Sequence, residues 1–113
     1  MKKVWTYGIF CYEYGTPEYI GLKRDYHLGK AKLYGFERRG VSYIKMTNNE
    51  SDFVVGDLWE VPDEIEEKLR SMERGCGWYP YYVNVVDDNG NKHKAIAYLV
   101  HAEEFGLEAV PWR

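Results

Sequence analysis

One glutamate, Glu73, stands where a short amphipathic helix should end and a strand-rich region should begin. A carboxyl group there is either an ordinary surface charge paired with Arg70 or Arg74, or a base that exchanges protons with a ligand. The negative end of the helix dipole and an adjacent apolar face both favour its protonated form. A carboxyl group shifted in this way can transfer protons near neutral pH. The residue types alone leave both interpretations open.

A second candidate site is the segment Tyr7-Gly8-Ile9-Phe10 near the N-terminus. Its glycine ends an alternating strand pattern and lets backbone N–H groups approach a ligand closely. The simpler interpretation of Gly8 is a tight turn after the first strand. Both interpretations can hold together, so the segment becomes informative only beside Glu73.

Metal and thiol chemistry have little support in this sequence. Cys11 and Cys76 are far apart and lack CxxC spacing, which predicts free thiols. The three histidines, at positions 27, 93 and 101, show none of the spacings typical of metal ligands. We therefore expect no metal.

The composition predicts one folded domain over residues 1–113. Apolar residues make up 45%, aromatic residues 17% and charged residues 29% of the chain, as in soluble globular proteins. Eleven tyrosines combine a preference for strands with hydroxyl groups that can line a polar cavity. No apolar run approaches the roughly 18 residues of a membrane span, and no signal segment is evident, so we expect a cytoplasmic protein.

The net charge of −3 conceals an uneven distribution. Residues 1–45 hold nine Lys/Arg and four Asp/Glu, whereas residues 46–113 hold six and fourteen. The pairs Lys23-Arg24 and Arg38-Arg39 are either anion-binding groups or solvated surface charges. With an acidic total charge, binding to nucleic acid by basic pairs and tyrosine stacking is only weakly indicated.

Strand patterns dominate the chain around one helix. Strands are predicted at residues 4–7, 26–37, 41–46, 53–61, 81–86 and 94–100, with a loop or lid at residues 12–21 and a hairpin turn at residues 87–91. Residues 101–108 suggest a short terminal helix. The main helix starts after Pro62 and carries Ile65, Leu69 and Met72 on one face, with Glu73 about 70° from their centre. These elements predict an α+β domain built on a curled or closed antiparallel-rich sheet.

The order of five motifs resembles the gamma-glutamylcyclotransferase-like superfamily of small αβ barrels, including its AIG2-like, gamma-glutamylamine cyclotransferase type. The resemblance spans nearly the whole chain. Its motifs, in chain order, are Tyr7-Gly8-Ile9-Phe10, similar to YGxL; residues 29–36, similar to GxAxLxGF; residues 55–61, similar to VxGELYEV; residues 69–75, similar to LDxxEG; and residues 95–98, similar to AxxY.

The resemblance implies a small, mixed, mostly antiparallel β-barrel with one main helix. It also implies a cyclotransferase that acts without a cofactor on a small molecule carrying a gamma-glutamyl group and releases 5-oxoproline. Glu73 would be the catalytic acid and base. Backbone N–H groups around Gly8, Ile9 and Phe10 would hold the substrate, while Tyr7 and Tyr98 would line the pocket.

The sequence also departs from the family pattern. Ile9-Phe10-Cys11 replaces the commoner residues after the YGxL glycine, and Arg70 stands where aspartate is usual. An arginine often found in the next strand is absent from residues 79–83. These departures, with the basic N-terminal half, motivate an alternative function: a non-catalytic module that binds a small anionic metabolite or nucleotide. Shared fold does not distinguish the two functions.

Overall fold

Seven strands and one α-helix form the part of the chain that the computed structural model describes, residues 1–8, 21–41 and 43–111. The helix is α1 (Asp63–Gly75). The strands are β1 (Lys2–Thr6), β2 (His27–Tyr34), β3 (Phe36–Arg38), β4 (Ile44–Met46), β5 (Phe53–Val61), β6 (Tyr79–Asp87) and β7 (Lys92–Leu99). The predicted loop or lid at residues 12–21 lies outside the described residues except for Gly21.

Five strands close into a barrel in the order β1-β5-β2-β6-β7. Every neighbouring pair is antiparallel except β1 and β7, which run parallel and complete the closure. Strands β3 and β4 form a separate two-stranded sheet. This arrangement confirms the predicted α+β class, a small mixed and mostly antiparallel barrel with one main helix.

The single strand predicted at residues 26–37 is wrong at Gly35. This glycine has φ +83°, a left-handed conformation that side chains other than glycine rarely adopt. Its N–H donates to the carbonyl of Asp52 at 2.8 Å, and its carbonyl accepts from the N–H of Thr47 at 2.8 Å. The chain therefore leaves the barrel at this turn, and β3 pairs with β4 instead of extending β2.

The barrel interior forms around Trp5, whose indole fits only because Gly56 has no side chain. A Cβ atom on Gly56 would meet the Trp5 ring at 2.6 Å and would also collide with the carbonyl oxygen of Thr6. The indole N–H donates to the carbonyl of Ala31 at 3.1 Å, which satisfies its polar group inside the core. Gly56 thus fixes how β1 and β5 pack.

Side-chain alternation divides the core into two clusters on opposite faces of the barrel wall. One cluster fills the barrel and includes Trp5, Tyr7, Leu58 and Ala97. The other lies between the wall and helix α1, and includes Trp59, Ile96, Tyr98 and Leu69. Helix α1 therefore covers the outer face of the wall formed by β1, β5 and β7.

The buried face of α1 differs from the predicted one. Its buried residues are Glu66, Leu69 and Arg70, whereas Ile65 and Met72 are half-buried. On a wheel of 100° steps, Glu73 lies about 20° from Glu66, near the middle of this face. The apolar pattern had placed Glu73 on the flank because it gave the two buried charged residues no weight.

The C-terminal segment also differs from the prediction. The short helix expected at residues 101–108 is a three-residue 3-10 turn, Glu103–Phe105, which ends at Gly106 with φ +70°. Beyond it the chain lies along the start of β6, where Ala109 bridges Tyr81.

Candidate active site

The ends of β1 and β7 and the start of β6 meet at one end of the barrel. Because β1 and β7 pair in parallel, Tyr7 follows β1 close to Tyr98 near the end of β7. Tyr98 pairs with Pro80 at the start of β6. Helix α1 leads into β6 at the same place, since the N–H of Trp78 donates to the Glu73 carbonyl at 2.9 Å. These elements bring the predicted residues Tyr7, Tyr98 and Glu73 into one region.

The two tyrosines share a hydrogen bond but occupy opposite faces of the wall. The Tyr7 ring lies in the barrel interior, stacked on Trp5 with 5.3 Å between ring centroids. Its hydroxyl donates to the backbone carbonyl of Tyr98 at 2.6 Å. The ring of Tyr98 lies in the cluster beneath α1. The strand pattern had left the inward face of both tyrosines open, and the structure assigns Tyr7 to the inside and Tyr98 to the helix side.

Gly8 follows Tyr7 directly and is buried. Ile9 and Phe10, the other predicted backbone donors, lie outside the described residues. The Tyr7 carbonyl, which belongs to the same peptide unit as the Gly8 N–H, accepts a hydrogen bond from the guanidinium group of Arg38. Arg38 had been predicted as either an anion-binding group or a solvated charge, so this backbone contact was missed.

Glu66 is a buried carboxylate that the sequence analysis also missed. Its side chain is 0% exposed and accepts hydrogen bonds from Lys2 at 3.1 Å, from Arg70 at 2.8 and 3.0 Å, and from the Tyr98 hydroxyl at 2.6 Å. Burial alone would raise the pKa of Glu66, but the bonds from Tyr98, Arg70 and Lys2 outweigh burial and lower it. Glu66 is therefore held ionised.

Glu73 occupies the last turn of the same helix in a different environment. The residue is half-buried, and this burial raises the pKa of its carboxyl group from 4.5 to about 7. Among the described residues, no side chain forms an ion pair or hydrogen bond with that carboxyl. Arg70, one of its two expected partners, binds Glu66, and the Arg74 guanidinium lies 5.7 Å from the Tyr79 ring centroid.

The hydroxyl of Tyr98 connects the surroundings of the two glutamates. Burial raises its pKa most, followed by the hydrogen bond to Glu66, and the negative charge of Glu73 raises it further. Tyr98 therefore stays protonated and donates to Glu66. Glu73 belongs to helix α1, which covers the face of the wall where the Tyr98 ring lies.

A cleft of about 390 Å³ lies beside the C-terminal half of α1. Two places where the sequence departs from the family pattern line it together: Arg70 on the helix, and Tyr79 to Tyr81 on β6. Arg74 and Glu103 add a positive and a negative charge to its wall. These two departures therefore border one cleft, whose described lining does not include Glu73.

Asp57 is a second buried carboxylate, which lies in the motif at residues 55–61 but was not predicted as a functional residue. Its carboxylate is 0% exposed and contacts the His27 ring at 2.8 Å and the Lys30 ammonium at 3.2 Å. Both partners come from β2, so the cluster ties β2 to β5 where β1 ends opposite Asp57. Its contacts support the wall from which Tyr7 and Gly8 emerge.

The described residues contain neither a metal-binding cluster nor a membrane-spanning helix. No three His, Cys, Asp or Glu side chains there are arranged to hold a metal ion. No helix in the same residues is both long enough and apolar enough to cross a membrane.

Comparison with known proteins places the chain in a family. The model of the family described as gamma-glutamyl cyclotransferase, AIG2-like, matches residues 4–113, and the chain belongs to this family. No curated protein matches the chain.

Solved structures share the fold at low sequence identity. A structure named gamma-glutamyl cyclotransferase is 17% identical, with a TM-score of 0.68 over 97% of this chain and 70% of that one. An Arabidopsis thaliana protein studied in solution is 24% identical, with a TM-score of 0.69 over 99% and 69% of the two chains. An uncharacterized Homo sapiens protein is 19% identical, with a TM-score of 0.67 over 97% and 70%.

Proposed function

We propose that this chain is a cyclotransferase that releases 5-oxoproline from a gamma-glutamyl amine or a similar small gamma-glutamyl compound. Glu73 is its general acid and base. The observation that carries the proposal is the desolvated carboxyl of Glu73, with a pKa of about 7, at the end of the barrel where Tyr7 and Gly8 emerge. Membership of the family supports the reaction class.

The reaction is an internal acyl transfer that consumes no water. The alpha-amine of the gamma-glutamyl group attacks its own gamma-carbonyl carbon, a C–N bond forms, and the carbonyl oxygen takes up negative charge. The bond from that carbon to the leaving nitrogen then breaks. Glu73 removes a proton from the attacking nitrogen and delivers it to the leaving nitrogen, so atoms and charge balance. The chemistry requires no cofactor.

The pKa of Glu73 suits both halves of this transfer. A carboxyl with a pKa of about 7 is partly ionised and partly protonated at neutral pH, so it can accept and return a proton. A carboxyl with the ordinary pKa of 4.5 would be almost entirely ionised at neutral pH. It would therefore seldom hold a proton to return to the leaving nitrogen. The environment of Glu73 therefore fits a proton shuttle better than a surface charge.

The remaining predicted residues take supporting roles in the proposal. Backbone N–H groups of Gly8, Ile9 and Phe10 stabilise the negative charge on the substrate oxygen. Tyr7 and Tyr98 line the site from the two faces of the barrel wall. The hydrogen bond from the Tyr7 hydroxyl holds the backbone carbonyl of Tyr98. Glu66 stays ionised and positions the Tyr98 hydroxyl.

A screen of gamma-glutamyl compounds for release of 5-oxoproline tests the proposal. The panel should include gamma-glutamyl n-butylamide and gamma-glutamyl amino acids, with the released amine measured in parallel. Glu73→Gln keeps the shape of the side chain and removes its proton chemistry, so the rate should fall roughly 10²–10⁴-fold. Glu67→Gln, an exposed position on the same helix, is the matched control and should keep the wild-type rate.

Two outcomes would contradict catalysis by Glu73. Unchanged turnover in Glu73→Gln would remove its role as acid and base. Tight retention of a gamma-glutamyl compound by the wild type with no 5-oxoproline released would instead favour a binding module of the same fold.

A further inference from the structure

Arg38 holds the backbone at the point where β1 leaves the barrel. Its guanidinium donates to three carbonyl oxygens from three separate segments: those of Tyr7, Val41 at 3.0 Å and Val55 at 3.2 Å. A guanidinium has five N–H donors in a rigid planar fork, so it can serve several acceptors at once. The next residue, Arg39, behaves differently and pairs with the Glu37 carboxylate at 2.6 Å.

Arg38 makes its contacts just beyond the last paired residues of β1 and β5. The final pair between β1 and β5 is Thr6 with Asp57. Just beyond it, Arg38 bridges the Tyr7 carbonyl of one chain segment and the Val55 carbonyl of the other. Arg38 thus joins the two segments where the next backbone pair of β1 and β5 would lie, and it holds the peptide unit between Tyr7 and Gly8.

This contact also determines where the Gly8 N–H points. A peptide unit is planar, and no cis peptide bond occurs in the described residues, so the Tyr7 C=O and the Gly8 N–H point in opposite directions. Fixing the carbonyl on Arg38 therefore fixes the N–H on the far side. A cation on the carbonyl oxygen also polarises the peptide unit and makes its N–H a stronger donor.

We propose that Arg38 is a positioning residue that aims and strengthens the Gly8 N–H as a donor to the substrate oxygen. This inference rests on the proposed function, in which that N–H meets the negative charge that develops during cyclisation. Arg38 itself acts through the peptide and does not touch the substrate. Fixed dipoles that need no rearrangement are the effective part of such a site.

The test compares Arg38→Gln and Arg38→Lys with Arg39→Gln in the full chain. With gamma-glutamyl n-butylamide, Arg38→Gln should lower kcat/KM about tenfold or more, mainly through kcat, because the donor acts most strongly on the transition state. Arg38→Lys keeps the charge without the fork and should recover part of the loss. Arg39→Gln should match the wild type, since it removes only an exposed ion pair.

A second readout is independent of turnover. In ¹⁵N-labelled protein, the Gly8 amide proton should move upfield in Arg38→Gln, partly return in Arg38→Lys and stay in place in Arg39→Gln. A Gly8 resonance unmoved in folded Arg38→Gln, or a kcat/KM within twofold of the wild type, would overturn the inference. If the wild type releases no 5-oxoproline from any gamma-glutamyl compound, the proposed function fails, and with it the substrate-binding role of the Gly8 N–H. The amide shift would then report only whether Arg38 fixes the peptide.

Discussion

Glu66 and Glu73 lie on one helix, two turns apart and about 20° from each other on its wheel, yet their surroundings are opposite. Glu66 is fully buried among a lysine, an arginine and a tyrosine hydroxyl, and its pKa is lowered. Glu73 is half-buried, without a described partner for its carboxyl, and its pKa is raised to about 7. Burial acts in the same direction on both residues, so the hydrogen-bond donors make the difference.

The two carboxyl groups therefore have different roles, one structural and one in proton exchange. A carboxylate surrounded by donors is a structural anchor, because protonating it would leave two cations without their counter-ion. A carboxyl that is desolvated but not compensated exchanges protons near neutral pH. Two titratable groups whose environments push their pKa values apart are a recognised feature of acid–base sites.

Glu66→Gln should give the largest change in stability. The substitution keeps the size of the side chain but leaves the charges of half-buried Lys2 and buried Arg70 uncompensated, which should cost about 3–5 kcal/mol in the free energy of unfolding at pH 7. Urea unfolding measures the loss, with the exposed Glu67→Gln as control. A loss below about 1 kcal/mol would mean that the carboxylate is not an anchor.

Glu73→Gln should change the pH dependence of stability. The folded pKa of Glu73 is raised, so the stability it contributes is complete below pH 4.5 and is lost as pH rises through about 7. Glutamine does not titrate there, and the variant should gain about 2 kcal/mol relative to the wild type between pH 5 and pH 8. Urea unfolding at several pH values measures this difference. A constant difference across the range would place the pKa of Glu73 at its ordinary value.

Tyr98→Phe should weaken the hydrogen bonding that keeps Glu66 ionised. It removes a 2.6 Å hydrogen bond to the Glu66 carboxylate and should lower stability by about 1.5 kcal/mol. The pKa of Glu66 should rise because the first of the bonds that lower it is lost. Chemical unfolding and ¹³C titration of the carboxyl group follow the two effects. An unchanged Glu66 pKa would show that Arg70 and Lys2 suffice.

Tyr7→Phe should have the smallest effect, about 1 kcal/mol, because it removes one bond to a neutral backbone carbonyl. Thermal unfolding measures it, with Tyr34→Phe at an exposed position as the control. A loss as large as that of Tyr98→Phe would mean that the Tyr7 hydroxyl does more than fix the Tyr98 carbonyl.

Local patterns were sufficient for the strands and the helix but not for the polar contacts. Strand β5 and helix α1 were predictable because a mostly apolar segment of nine residues and a proline followed by acidic residues have few alternatives. Gly35 misled the prediction because a glycine inside a strand pattern marks either close packing or a turn. Only the partner strand β4 decides between them.

Glu73 could be predicted from the sequence because it lies in a family motif. Glu66 and Arg38 lie in no such motif. Glu66 and Arg70 are four residues apart, a spacing usually seen in exposed helix pairs, so their burial depends on the wall that α1 covers. Arg38 lies next to a second arginine in a pattern typical of solvated surface. Its acceptors come from distant segments, which local sequence does not reveal.

A ¹³C NMR titration of the glutamate side-chain carboxyl groups tests the central claim most directly. The wild-type protein should show Glu73 titrating near pH 7, while Glu66 stays ionised down to below its ordinary pKa of 4.5. The resonance near pH 7 should vanish in Glu73→Gln. If Glu73 instead titrates near its ordinary value of 4.5, its carboxyl is an ordinary charge and the proposed proton shuttle is wrong.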